Sequence, residues 1–295
     1  MSEFDDNKSP QKLDLSSLPK LSQILHKHNL SPKKSLGQHF LLNKSICSRI
    51  AESSGDLSET TVIEVGPGPG GLTRALLEMG AKQVIAIEKD KRCIAALNEL
   101  ALISNGRLIV KEGNALDFNF VQNIPYPKHI ISNLPYNIST QLLVKWLDQS
   151  NEFSQMVLMF QKEVALRIVA KPNTSAYGRL SIYAQWLCKC EIVFDLKPNA
   201  FSPPPKVNST IIRLTPYTEP LFKAPKEVLL RIIAAGFGQR RKKLRSSLKN
   251  AINDPEIILK NTGISSDRRA ETLTLEEWCS LARECADTNL KIKRQ

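Results

Sequence analysis

The feature that most constrains the fold is Thr61–Val65, an apolar run that ends in Gly66-Pro-Gly68-Pro-Gly70-Gly71. A β-branched run with little alternation reads as a strand buried on both faces. Glycines at its carboxyl end, followed by helical spacing, mark the turn of a strand–helix unit in a parallel sheet. The alternation continues. Gln83–Ile87, Arg107–Val110, His129–Ser132 and Gln155–Phe160 read as further strands, and Leu72–Glu78, Lys91–Leu102 and Thr140–Gln149 as crossover helices. This order predicts an α/β chain with a Rossmann-like, doubly wound sheet. Ser181–Trp186 and Asn208–Leu214 are β-like stretches around a proline-rich loop, and are expected to close the sheet as an antiparallel pair.

Residues 1–18 are polar and aperiodic and are expected to be disordered. Leu21, Ile24, Leu25 and His28 sit at helical spacing, predicting a short amphipathic helix before Ser31-Pro32. After Leu214 the style changes. Thr215–Pro225 carries three prolines and reads as a stiff linker; beyond it Val228, Leu229, Ile232, Ile233 and Phe237, then Leu244, Leu248 and Ile252, follow helical spacing. Thr274-Leu-Glu-Glu277 has the form of a capping box that opens a last helix. The 295 residues therefore divide into a domain over 19–215 and a small all-helical domain over 225–295.

Lysine and arginine number 41 against 29 acidic residues, a net charge of +12, which favours a polyanionic partner. No apolar run approaches the roughly 20 residues of a spanning helix, so nucleic acid is preferred to a membrane. The acidic opening Met1–Asp6 weighs against a secretory or organellar leader. The six cysteines form no CxxC pair or metal-ligand spacing. A cytoplasmic, metal-free protein acting as a monomer is the expectation.

The glycines alone do not identify a ligand, because nicotinamide, flavin and S-adenosylmethionine enzymes share G-x-G-x-x-G. Glu88, ending the next strand, is placed to accept from two ribose hydroxyls, which still fits either NAD or S-adenosylmethionine. Glu64 discriminates. Beside a pyrophosphate its charge is repulsive; beside the ammonium of a methionine moiety it helps. Glu64 can equally be a strand-end carboxylate satisfied by backbone amides. Asn114, after the third strand, sits where an adenine amine is expected, and it can also be an ordinary turn asparagine. Gly66 and Gly68 would let the backbone approach the cofactor.

After the fourth strand comes Asn133-Leu134-Pro135-Tyr136. The amine of adenine is a weak nucleophile because its lone pair is delocalised into the ring. Two acceptors, the Asn133 side-chain oxygen and the Leu134 carbonyl, can bend its N–H bonds out of the base plane and aim the lone pair at a methyl donor. Pro135 fixes the turn and Tyr136 offers a stacking face. No base is required before attack, since the alkylated amine loses its proton afterwards. Phe201, in Phe201-Ser-Pro-Pro-Pro-Lys-Val207, is the candidate second stacking face, or else a core ring beside a rigid loop. A second methylation needs room for the first methyl, because a monomethylated amine has a single N–H left.

Gln239–Lys249 (QRRKKLRSSLK) holds many cations and no acid. Read as a helix, Leu244, Leu248 and Ile252 form one stripe and Lys242, Arg245 and Lys249 a basic flank. With Arg240 and Arg241 these are candidate phosphate contacts, joined by Lys33 and Lys34 near the cofactor segment. The other reading is a solvated charge run.

From about Leu18 to Leu281 the chain resembles the small-subunit ribosomal RNA adenine N6,N6-dimethyltransferase family. The likeness rests on KKSLGQHFL (33–41), Glu64–Gly71, NLPYNIST (133–140), FSPPPKVNS (201–209), QRRKKLRSSL (239–248) and RAETLTL (269–275), in that order. The resemblance implies dimethylation of two adjacent adenines near the 3′ end of small-subunit RNA, free or in a partly assembled subunit. It further implies an S-adenosylmethionine site with contacts from His39, Leu41, Gly66, Glu88, Asn114 and Asn133. Two positions depart from the usual pattern. The family often has asparagine where His39 stands and aspartate where Asn114 stands; loss of the latter charge predicts weaker cofactor binding without loss of activity. The rivals are a large-subunit RNA adenine methyltransferase, which shares the glycine and N-x-P-Y motifs, and a catalytically idle protein of the same fold that only binds RNA as an assembly or transcription factor. An NAD oxidoreductase has no use for N-L-P-Y or for the basic segment.

Overall fold

The computed structural model describes residues 13, 15, 17–33 and 36–287. In chain order the elements are α1 (Leu21–Lys27), β1 (Phe40–Leu41), α2 (Lys44–Glu52), β2 (Thr61–Val65), α3 (Gly71–Glu78), β3 (Gln83–Glu88), α4 (Lys91–Leu102) and β4 (Leu108–Glu112). Then come β5 (Lys128–Asn133), α5 (Ser139–Leu147), β6 (Gln155–Gln161), α6 (Lys162–Val169), α7 (Arg179–Leu187), β7 (Cys188–Leu196), β8 (Phe201–Ser202) and β9 (Ser209–Pro216). Helices α8 (Lys226–Gly238), α9 (Leu244–Ser247), α10 (Pro255–Asn261) and α11 (Leu275–Asp287) complete the chain. They fall into two compact units, one of residues through Ala165 with Glu191–Pro216, the other of Leu166–Cys190 with the residues from Tyr217 onward.

The first unit is built on a seven-stranded sheet of order β4-β3-β2-β5-β6-β9-β7. Strands β2 to β6 pair in parallel, and β9 runs antiparallel to β6. Every residue of β2 is buried, as its unalternated apolar sequence requires. β2 lies between β3 and β5, the point at which the winding reverses. The crossover connections part there in opposite directions and leave a crevice at the carboxyl ends of the strands. Leu72 and Leu76 of α3 and Cys47 and Ile50 of α2 share one buried cluster with Val62, Val84, Ile131 and Val157 of the sheet. Asp90 caps α4 by accepting from the Arg92 amide at 3.1 Å.

Several expectations are revised. Ser181–Trp186 is helical, within α7, and the strand beside β9 is β7. Ser181, Ile182, Tyr183, Ala184 and Trp186 are all buried, and a segment buried almost all round shows no periodicity to separate helix from strand. Of the tail expected to be disordered, residues 1–12, 14 and 16 lie outside the described residues. Leu15, by contrast, is 6% exposed and joins the core, with Leu13 and Leu18 packed against it. Their spacing within a polar stretch concealed an apolar anchor.

In the second unit, Leu166–Cys190 clusters with the C-terminal helices, whereas the sequence reading kept it with the sheet. The capping box is present: Glu277 Oε2 accepts from the Thr274 amide at 2.7 Å, and Thr274 Oγ1 accepts from the Glu277 amide at 3.2 Å. The basic helix is interrupted. α8 ends at Gly238, α9 spans one turn, and a 3-10 turn follows over Leu248–Asn250. Leu244, Leu248 and Ile252 are nevertheless all buried. The Leu244 and Arg245 amides donate to the carbonyls of Arg268 and Ser266, which holds Gln239–Lys243 outside any helix.

Candidate active site

The crevice at the carboxyl ends of β2, β3, β4 and β5 is lined by His39, Leu41, Glu64, Gly66, Gly68, Glu88, Asn114, Asn133, Leu134, Pro135 and Tyr136, among others. The sheet thus gathers residues spread over most of the first 140 positions of the chain. Backbone geometry explains the glycines. Gly68 adopts φ +57°, and a Cβ there would lie 3.1 Å from the Phe40 ring. At Gly71 a Cβ would come within 2.4 Å of the Leu41 carbonyl. That absence lets β1 cross directly over the start of α3 and bring His39 and Leu41 to the crevice.

The segment before β1 is fastened along its length. Gln38 Nε2 donates to Asp90 Oδ2 at 3.2 Å, and the Asp90 carboxyl is held at about 2, first by its bond to Arg92 and then by burial-opposed bonds that include Gln38. Pairing of β1 with β8 places Leu41 opposite Phe201. His39 Nδ1 lies 2.8 Å from the Pro203 carbonyl, so the tautomer with its proton on Nδ1 makes that bond.

Two carboxylates sit behind the glycine loop. Glu64 is 1% exposed and takes one hydrogen bond, from Thr73 Oγ1 at 2.6 Å. Burial pushes it up to about 8, opposed by the Thr73 bond and reinforced by the charge of Glu88. A carboxylate so poorly satisfied is suited to a cationic ligand group. Glu88 is buried but better served: it accepts from the amides of Gly68 (3.0 Å), Lys89 (2.7 Å) and Asp90 (2.9 Å). Burial still raises its pKa against those three bonds. Oε2 carries the Gly68 amide alone and has a lone pair left for a hydroxyl.

At the end of β5, Asn133 Nδ2 donates to the His39 carbonyl at 3.2 Å. A carbonyl only accepts, so this contact fixes the carboxamide with its nitrogen toward His39 and leaves Oδ1 as the free acceptor. Tyr136 Oη lies 2.5 Å from Ser209 Oγ, and its ring is 5.6 Å from that of His39. Burial raises the phenol pKa, with the Ser209 bond opposing. Leu134 is buried, which steadies the turn. The arrangement presents two acceptors beside an aromatic face, next to a crevice with a glycine loop and two carboxylates.

Other candidates stand differently. Asn114 lines the crevice but also forms a turn, its Oδ1 accepting from the Leu116 amide at 3.2 Å and its Nδ2 donating to Asp117 Oδ2 at 2.9 Å. Phe201 is 5% exposed, belongs to the core cluster and does not line the crevice. Its pairing opposite Leu41 turns the ring into the core, where burial of apolar area favours it. In the second unit Arg240 is committed to Glu271 at 2.6 Å and to the carbonyls of Ser175 and Thr174, and Arg245 pairs with Asp267 at 2.7 Å. Arg241, Lys242 and Lys249 are exposed, as is Lys33; Lys34 lies outside the described residues. Gln38, Gly71, Thr73 and Ser209 were not singled out in the sequence; Gln38, Gly71 and Ser209 lie within the KKSLGQHFL, Glu64–Gly71 and FSPPPKVNS motifs, whereas Thr73 lies in none. Among the described residues no cluster of three or more His, Cys, Asp or Glu is placed to hold a metal, and no helix is long and apolar enough to cross a membrane.

A family profile described as ribosomal RNA adenine dimethylase matches residues 29–287. The chain belongs to that family. It is 50% identical over 275 residues to the ribosomal RNA small subunit methyltransferase A of Ruegeria pomeroyi, covering 92% of this chain and 99% of that protein. The protein of the same name from Dinoroseobacter shibae is 52% identical over 272 residues, covering 91% and 97%. Among solved structures, a dimethyladenosine transferase from Plasmodium falciparum superposes with TM-score 0.76 at 28% identity, covering 86% of this chain and all of that one. The 23S rRNA methyltransferase ErmE superposes with TM-score 0.65 at 27% identity, covering 83% and 98%. The expected Rossmann-like methyltransferase fold is therefore borne out, and with it membership of the dimethyltransferase family.

Proposed function

We propose that this enzyme dimethylates N6 of two adjacent adenosines near the 3′ end of small-subunit ribosomal RNA, with S-adenosylmethionine as donor, and that the residues of the crevice act as follows. S-adenosylmethionine, when bound, supplies an electrophilic methyl group on a sulfonium. Glu64 takes the ammonium of its methionine portion, the Oε2 of Glu88 takes a ribose hydroxyl, Asn114 faces the adenine, and His39, Leu41, Gly66 and Gly68 form the close walls. The residues fit such a group because Glu64 is buried and, among the described residues, has one hydroxyl partner and no paired cation.

Asn133 Oδ1 and the Leu134 carbonyl accept from the target amine and hold its lone pair out of conjugation, while Tyr136 stacks on the base. The orientation of the Asn133 carboxamide carries this reading: its nitrogen is spent on His39, so its oxygen is offered to the amine. After transfer the alkylated amine loses a proton to solvent. The target adenosine must leave its stack to reach the crevice, which costs about a few kcal/mol, and basic side chains repay part of that by contacting phosphates. Free RNA and a partly assembled subunit both offer such phosphates. We further take the enzyme to act as a monomer in the cytoplasm; its cysteines form no disulfide among the described residues, in accord with a reducing compartment.

The likeness to ErmE supports a shared fold and chemistry, while relatives of about half identity carry the small-subunit name. Mass spectrometry of small-subunit RNA from cells lacking the protein, and from the same cells with wild type or Asn133→Ala restored, tests the proposal. A neighbouring pair of dimethyladenosines should vanish and return only with wild type. An unaffected pair, with a methyladenosine missing from large-subunit RNA, would move the assignment to the other subunit.

A further inference from the structure

The wall of the crevice that carries Asn114 is a loop, residues 113–120, without regular structure. Loops of this kind leave carbonyls to be satisfied from outside. Here two of them converge on one side chain. Lys145 Nζ donates to the carbonyl of Leu116 at 2.6 Å and to that of Phe118 at 2.7 Å, and lies 5.3 Å from the centroid of the Phe120 ring. Phe120 is fully buried and meets Trp146 edge-on at 5.4 Å. Lys145 and Trp146 both lie near the end of α5, the helix that begins just after the Asn133–Tyr136 turn. One helix thus continues from the turn that presents the amine acceptors and fastens the loop that carries Asn114.

We infer that Lys145 is a positioning residue for the cofactor: by holding the carbonyls at 116 and 118 it sets where Asn114 stands. Asn114 itself is tied into the same loop through the Leu116 amide and Asp117, so a displacement at Leu116 is passed directly to its carboxamide. Charge-assisted bonds to two carbonyls are stronger than neutral ones, and a methionine at 145 keeps the packing on Phe120 while removing both. This inference rests on the reading that Asn114 receives the adenine of S-adenosylmethionine.

The test is the dissociation constant of S-adenosylmethionine by titration calorimetry on the RNA-free enzyme, with melting temperature and kcat measured in parallel. Lys145→Met and Asn114→Ala should each weaken binding about tenfold, the scale of one or two lost hydrogen bonds in a site, and Lys145→Met should keep kcat at saturating cofactor within about twofold. Lys145→Arg, which still donates to two carbonyls, should recover most of the affinity. The double variant should bind no more weakly than either single one, because both act through one loop. A lower melting temperature with unchanged affinity in Lys145→Met would reduce Lys145 to a structural brace and overturn the inference. Should Asn114→Ala bind normally while Lys145→Met does not, the reading that Asn114 receives the adenine fails, and with it the inference that Lys145 acts through Asn114. Should Lys145→Met not fold, Lys145→Gln, which is shorter and removes the charge that strengthens both bonds, carries the same measurement.

Discussion

The side-chain nitrogen of Asn133 lies 3.2 Å from the main-chain oxygen of His39, although the two residues are far apart in sequence. That hydrogen bond ties the N-terminal segment to the end of β5 and sets the direction of the acceptor offered to the substrate. Asn133→Ala should lower kcat by about 10²–10³-fold, the range for loss of one preorganised polar group in a transition state. RNA affinity in a filter-binding assay should stay near wild type; a parallel loss of both would remove Asn133 from its assigned role.

Glu64 gives the cofactor site a pH signature. In the folded chain it holds its proton up to about pH 8, against an ordinary value of 4.5. The unliganded protein therefore has this contribution to stability in full below pH 4.5, and loses it as pH rises from 4.5 to about 8. A cationic ligand reverses the preference, so S-adenosylmethionine binding at pH 7 should expel a proton. Calorimetry in buffers of different ionisation enthalpy measures that release. Glu64→Gln should abolish it and flatten the stability curve over the same window; proton release that persists in the variant would mean another group is responsible.

The Tyr136 hydroxyl is anchored by Ser209, at the head of β9. A tilted ring grips a monomethylated base less well than a free adenine, because only one N–H remains to hold the amine. Ser209→Ala should therefore raise the ratio of monomethyl to dimethyl product, with a loss of about tenfold or less in the second transfer, as expected for one hydrogen bond. Tyr136→Phe should do the same, and the double variant no more. Product ratios from nucleoside mass spectrometry decide; a change in Tyr136→Phe without one in Ser209→Ala would separate the hydroxyl from its partner.

The basic residues of the second unit should divide into two classes. Arg241, Lys242 and Lys249 are exposed cations; replacing all three by alanine should make the salt dependence of RNA binding shallower by about one unit per side chain. Arg240 is held by Glu271 and two carbonyls, so Arg240→Ala should lower the melting temperature and leave the slope alone. An unchanged slope in the triple variant would make that surface merely solvated.

By itself the sequence determined the parallel part of the sheet, because β2, β3, β5 and β6 are apolar runs whose burial on two faces admits little else, and the glycines after β2 mark where its helix must turn away. It also determined the chemistry on offer: Glu64, Glu88 and Asn133–Tyr136 stand at strand ends, and strand ends of a parallel sheet converge. The C-terminal capping box was legible for the same reason, since Thr274 and Glu277 interact within one turn. What periodicity could not reach was decided by tertiary contact. α7 is buried nearly all round and so had no stripe to reveal it. The basic segment is broken into shorter pieces where the Leu244 and Arg245 amides donate hydrogen bonds to the carbonyls of Arg268 and Ser266, residues they meet only in the folded unit. Phe201 was drawn into the core by pairing with Leu41, and Ser209, Gln38 and Lys145 acquired roles through distant partners. Local sequence fixes which groups a strand end presents; long-range packing fixes which neighbours hold them, and that information is spread over residues with no spacing rule in common.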